Sequence, residues 1–174
     1  MIEVVGARGT IQNVDEFLQQ LLGFSEEHHL VIQALDAKAV YGKDHLVSAA
    51  EHAVRAFHQG RNAMNSLALE LLLYAAGERQ IQKAIKKMGV KQGKGQVAFV
   101  IIDKKKRPAK GKTNDMIVAS LVRIFHFVRD DKVLEGTKDT LTRFGITQRE
   151  IWTVPEQRYG DLILEKVALV DVIK

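Results

Sequence analysis

A chain of 174 residues, 46% hydrophobic and 27% charged, has the size and composition of one globular domain with its own core. This excludes a disordered chain, and no apolar run approaches the ~18 residues needed to cross a bilayer. There is no cysteine for disulfides or thiolate metal sites, and the opening MIEVVGARGT does not read as a secretory leader, so the expectation is a cytoplasmic protein.

The net charge is a modest +5, but it is unevenly spread. Between Arg79 and Lys112 there are twelve Lys or Arg against one acid, Asp103, a local charge of +11 that leaves −6 for the other 140 residues. A concentrated cationic segment on an acidic body points to a polyanionic partner, with a solvated helix face plus a basic loop as the competing reading.

Taken in chain order, Ile2 to Ala7 is predicted to be a strand ended by Arg8-Gly9. Asn13 and Glu16 have capping-box spacing before Val14, Phe17, Leu18, Leu21 and Leu22, the stripe of an amphipathic helix. Leu30 to Leu35 reads as a second strand, with His28-His29 at its entry. A helix from Asp44 to His58 carries Leu46, Ala50, Ala53, Val54 and Phe57 on one side, and Gly60 stops it. His45 and His52 share a face seven residues apart, but a catalytic metal wants a third ligand and none is close in sequence.

Ser66 to Ala76 is apolar almost all round, so it is predicted to be a central helix, broken by Gly77. A second helix, Glu78 to Met88, completes the central pair. At 100° per residue its Ile81, Ala84, Ile85 and Met88 form a core face, and Arg79, Lys83, Lys86 and Lys87 fall opposite. Gln96 to Ile102 reads as a buried strand, and 103–112 as a basic, flexible loop with Pro108 and Gly111 as breakers. Asp115 to Val128 is predicted helical along Ile117, Leu121, Ile124, Phe125 and Val128, with His126 at the edge of that stripe. Thr137 and Thr147 each start a short helix, and β-branched Val167 to Val172 suggest a final strand. The expected fold is α+β, one domain over 1–174, with a mixed sheet of about four strands packed by several helices.

No catalytic constellation emerges: the nucleotide-loop, zinc-protease and nucleophile-elbow patterns are absent, and Gly93-Lys94-Gly95 lacks both the spacing and the following helix of a phosphate loop. Neither a cofactor nor a metal is expected, and the chain reads as a non-enzyme. Binding remains. The cationic helix face suits phosphates, as do the backbone N–H groups at the Gly77-Glu78-Arg79 helix start. Gln80 and Asn65 add amides of the kind that read base edges, although Asn65 equally suits a cap for the helix that follows.

The order Asn65-Ser66, Glu70, Ala76-Gly77, Arg79-Gln80-Ile81, Ala84-Ile85, Gly89 and Lys91-x-Gly93 resembles the small regulatory subunit of the KEOPS complex, the PRPK-binding-protein family. About thirty residues carry the match. The terminal segments agree with it in character, and an archaeal-type member fits the missing cysteines and basic pI. The resemblance implies a non-catalytic subunit that binds the kinase-like ATPase of KEOPS and, through it, other KEOPS subunits. It further implies binding of the 3′ CCA end of tRNA in support of threonylcarbamoyladenosine formation. Arg79, Gln80 and Ile81 match the family motif, and Lys83, Lys86, Lys87 and Lys91 match in character, so these seven are the expected tRNA contacts, with Asn65 as an RNA contact or a cap. The alternative is a protein-interaction adaptor for the kinase-like subunit that does not touch RNA. The surface facing that subunit is not legible in the sequence.

Overall fold

The computed structural model describes the backbone of residues 1–105 and 111–173, and their side chains apart from those of 111–113. The apolar run from Gln96 to Ile102 lies inside a strand, β3 (Gly93–Asp103), that is the core of the sheet. It pairs with β1 (Ile2–Ile11) from Ile2↔Ile102 to Ile11↔Gly93, and with β2 (Leu30–Asp36) from Leu30↔Asp103 to Asp36↔Val97. The two-residue β4 (Val128–Arg129) adds to the outer edge of β1, giving the order β2-β3-β1-β4. The α+β class therefore holds, but the sheet is antiparallel throughout, not mixed. β1 and β2 run in the same direction, and β3 inserts between them, so they are not neighbours.

Both faces of this sheet are covered, which is why Val97 to Ile102 are all buried and read as an unbroken apolar run. One face takes Phe17, Leu21 and Phe24 of α1 (Val14–Glu27) and Val118 and Leu121 of α5 (Gly111–Ile124). The other takes α2 (Gly42–His58), α3 (Leu67–Ala76), α4 (Ile81–Met88), α6 (Lys138–Phe144) and α8 (Tyr159–Ile173). Asn13 caps α1 by accepting the Glu16 N–H at 3.0 Å and Thr147 caps α7 (Gln148–Ile151), both as their spacing predicts, and Thr137 caps α6 at the expected helix start.

Three elements differ from expectation. β1 continues past Arg8-Gly9 because Gly9 leaves room for a ring: a Cβ there would lie 2.2 Å from Phe127. The helix expected to reach Val128 ends at Ile124. His126 takes a left-handed conformation (φ 56°) and is exposed, and the chain then turns Phe127 inward and Val128 outward into β4. The C-terminal segment is a helix, not a strand. Its buried residues Tyr159, Leu162, Ile163, Val167 and Val170 follow helical spacing that only emerges when the window starts at Tyr159. Packing on α2 and α3 then outweighs the β-branched preference of its valines. The basic loop expected over 103–112 divides: Asp103 ends β3, Lys104 and Lys105 follow, 106–110 lie outside the described residues, and Gly111 and Lys112 open α5.

His45, buried in α2, joins two elements. The Tyr41 N–H donates to its Nδ1 at 3.1 Å, which leaves the proton on Nε2 to donate to the Ala75 carbonyl of α3 at 2.8 Å. Burial lowers its pKa from the ordinary 6.5 to about 4. Below pH 6.5 the unfolded chain takes up a proton that the folded one refuses, so the His45 contribution is complete above that pH and is lost as pH falls toward 4, an effect of about 3 kcal/mol. Urea unfolding at pH 7 and pH 4.5 should show wild type losing ~2–3 kcal/mol more than His45→Gln across that interval. Equal losses in the two proteins would assign the acid sensitivity elsewhere.

Candidate nucleic-acid and partner interface

The region around α4 is built on the end of α3. Glu70 to Ala76 are all buried, so the last carbonyls of α3 must be satisfied within the protein. Gly77 (φ 63°) makes the left-handed stop, with the Glu78 N–H on the Leu73 carbonyl at 3.0 Å and the Gly77 N–H on that of Tyr74 at 3.0 Å. The Ala76 carbonyl accepts from Lys87 Nζ at 2.9 Å. The same ammonium pairs with Glu78 at 2.8 Å and sits 4.6 Å from the centre of the Phe144 ring. Lys87 thus turns back onto the fold and does not share the outward face expected of it.

α4 begins later than its sequence suggests. Glu78, Arg79 and Gln80 bridge the two helices, and Gln80 occupies the capping position without a side-chain cap, so the open backbone N–H groups lie at Ile81 onward and not at Gly77. Arg79, Gln80, Lys83 and Lys86 are exposed, and among the described residues no acid pairs with the three cations. Lys91 is exposed but tethered, 3.1 Å from the Gly89 carbonyl and 3.7 Å from Asp36. Ala84 and Met88 are buried and Ile81 is half-buried against the same core. Ile85, expected with them, is 49% exposed.

At the other end of α3 the capping residue is Ser66, so Asn65 is not the cap; it is exposed one residue earlier. The loop that presents it is held by Glu70, whose buried carboxylate accepts the N–H groups of Ala63 at 2.9 Å and Met64 at 2.8 Å. Glu70 is legible in the sequence only as part of the motif; its grip on the loop six and seven residues before it shows only in the structure. Tyr74, the one aromatic close in sequence to the cations, is fully buried with its hydroxyl donating to Asp171, which removes it as a stacking platform. His52 pairs with the same Asp171 at 2.8 Å, so His45 and His52 serve separate contacts.

Two exposed apolar areas stand out. Leu169, Val172 and Ile173 lie at i, i+3 and i+4 on the last turns of α8, with Val172 78% exposed. A groove of about 270 Å³ runs between α1 and α3–α4, lined by Leu18, Leu22, Leu69 and Ile85. Among the described residues there is no cluster of metal-binding side chains, and no helix is long and apolar enough to cross a membrane.

A family model described as Kinase binding protein CGI-121 matches residues 9–170. The chain belongs to this family of kinase-binding proteins. No curated protein matches it significantly. The matched span runs from the end of β1 into α8 and takes in all of α4, the α1–α3–α4 groove and Leu169, while Val172 and Ile173 lie beyond it.

The geometry separates structural from unengaged lysines in the CGI-121 domain. Lys87→Met should cost about 1–2 kcal/mol in chemical denaturation, since it removes a charge-assisted bond from a helix end. Lys83→Met should leave the unfolding midpoint within error, and a matching loss in both would erase the distinction.

Proposed function

We propose that this chain is a non-catalytic subunit of the KEOPS tRNA-modification complex, binding its kinase-like ATPase subunit and the 3′ CCA end of tRNA. Family membership supports the kinase-binding half. The observation that carries the RNA half is the set Arg79, Lys83 and Lys86, exposed and without acidic partners among the described residues, next to the uncapped start of α4. Cations and open N–H groups converge there on one side of a short helix, the arrangement that holds phosphate oxygens. Gln80 and Asn65 offer amides at its two approaches, and Lys91 extends the charge beyond the helix. With Tyr74 buried, base stacking falls to the Arg79 guanidinium and the apolar Ile85.

Three to four phosphate contacts give a slope of log K against log salt of roughly −2 to −3. Full-length tRNA should bind several-fold more tightly than tRNA trimmed of its CCA end, measured by fluorescence anisotropy. Arg79→Glu with Lys83→Glu should weaken binding at least tenfold while leaving the thermal melt unchanged. Equal affinity for intact and trimmed tRNA would refute recognition of the end, and no binding at low salt would favour the adaptor reading without RNA.

The kinase-like subunit is assigned to the α8 face. A subunit that holds RNA and protein together needs separate surfaces, and the α1–α3–α4 groove borders the α4 cations through Ile85. Leu169→Glu with Val172→Glu should abolish co-purification with the kinase-like subunit and spare tRNA binding. Retention of the complex by that variant would move the interface elsewhere.

A further inference from the structure

β3 is longer than one of its partners. Its pairing with β1 continues to Gly93, whereas its pairing with β2 stops at Asp36↔Val97, where the chain leaves the sheet through the turn Ala37–Ala39. Residues 93–96 of β3 are therefore paired by a strand on one side only. The space left on the other side is a cleft of about 200 Å³ closed by Lys38 of that turn and by Val90, Lys91 and Gln92 after α4. Its floor is bare backbone at Gly93 and Gly95, and a Cβ built on either would meet nothing within 4 Å.

The charges on this cleft are Lys38, Lys91 and Lys94 against Asp36. Asp36 is occupied: it accepts the Lys38 backbone N–H at 3.0 Å and faces Lys91 at 3.7 Å. Lys38 and Lys94 are exposed, and among the described residues neither ammonium has an ionic or hydrogen-bonding side-chain partner. Two unengaged ammonium groups thus flank a strand edge whose glycines let a ligand approach the main chain closely. Backbone donors and point charges around a small, side-chain-free floor suit a phosphate group better than an apolar ligand or a cation.

We infer that this cleft binds a phosphodiester of the RNA strand whose 3′ end is held at α4, extending the nucleic-acid surface past Lys91 to Lys38 and Lys94. This rests on the RNA reading proposed above. Only Gly89 and Val90 separate the end of α4 from Lys91, so a strand leaving α4 meets the cleft directly. The cleft takes backbone, not the terminal bases, so its loss lowers affinity without changing preference for the CCA end.

The test is anisotropy with intact and CCA-trimmed tRNA over a salt series. Lys38→Ala with Lys94→Ala should weaken binding of both RNAs about 3- to 10-fold at low salt and reduce the salt slope by roughly 0.7, the share of one phosphate. The ratio of intact to trimmed affinity should stay at its wild-type value. Gly95→Thr, which fills the floor without altering charge, should also weaken both RNAs, and unchanged melting curves show that each variant folds. Wild-type affinity and slope in the lysine variant, with wild type itself binding tRNA, would overturn this inference alone. Failure of wild type to bind tRNA at low salt would overturn it together with the reading it rests on.

Discussion

Helix α3 has no polar face, and its enclosure dictates much of what surrounds it. Buried from Glu70 to Ala76, it cannot leave its last carbonyls to water, so its C-terminal end is finished by side chains from elsewhere and by its own turn. His45 comes from α2 to the Ala75 carbonyl and Lys87 from α4 to that of Ala76. Gly77 supplies the left-handed turn that takes up two more. At the entry, Glu70 turns toward the preceding loop and holds Ala63 and Met64. His45 and Lys87 each satisfy a carbonyl that the burial of the helix end would otherwise orphan.

The surface chemistry follows from those solutions. Because Lys87 is drawn inward to close α3, the orientation of α4 is set, with Ala84 and Met88 inward and Lys83 and Lys86 outward. A charged side chain spent on the fold thereby places others that the fold does not need. Charge alone is a poor guide to which is which: Lys83 and Lys87 are one helical turn apart, yet Lys83 is free of acidic partners among the described residues and Lys87 has a carbonyl, a carboxylate and a ring.

Sequence periodicity located the elements that bury one continuous stripe. α1, α2 and α3 stand close to where apolar spacing puts them, with Gly60 and Gly77 stopping the last two, and the capping residues Asn13 and Thr147 act as their spacing implies. Apart from the C-terminal helix, each failure depends on a partner outside the local window. Ile85 looks like core until α3 is seen to cover only the Ala84–Met88 side of its helix. Val167 to Val172 read as a strand because five valines, leucines and alanines in a short window carry no visible period. Gly9 seems a terminator only while Phe127 is unknown. The cationic segment was legible as a concentration of charge, but its division into fold and surface was not, because the Ala76 carbonyl and Phe144 that capture Lys87 lie outside any local pattern.

An antiparallel sheet covered on both faces leaves few places for a ligand except its edges and the ends of its strands. On the β1 side the edge is closed by the chain that follows the short β4: the Gly6 N–H donates to the Asp131 carboxylate at 2.9 Å and the Asp130 N–H to the Gly6 carbonyl at 2.8 Å. At the opposite end of the sheet β2 stops before β3 does, and the gap coincides with Gly93, Gly95 and the lysines around them. α4 ends beside that gap and α8 lies against α2 and α3, so the cations cluster where the sheet is unfinished and the α8 apolar face lies apart from the groove that borders α4. A scaffold of this kind can carry two binding surfaces without a moving part. The buried helix α3 packs against both α4 and α8, and the sheet's unequal strands leave the cleft at Gly93 and Gly95.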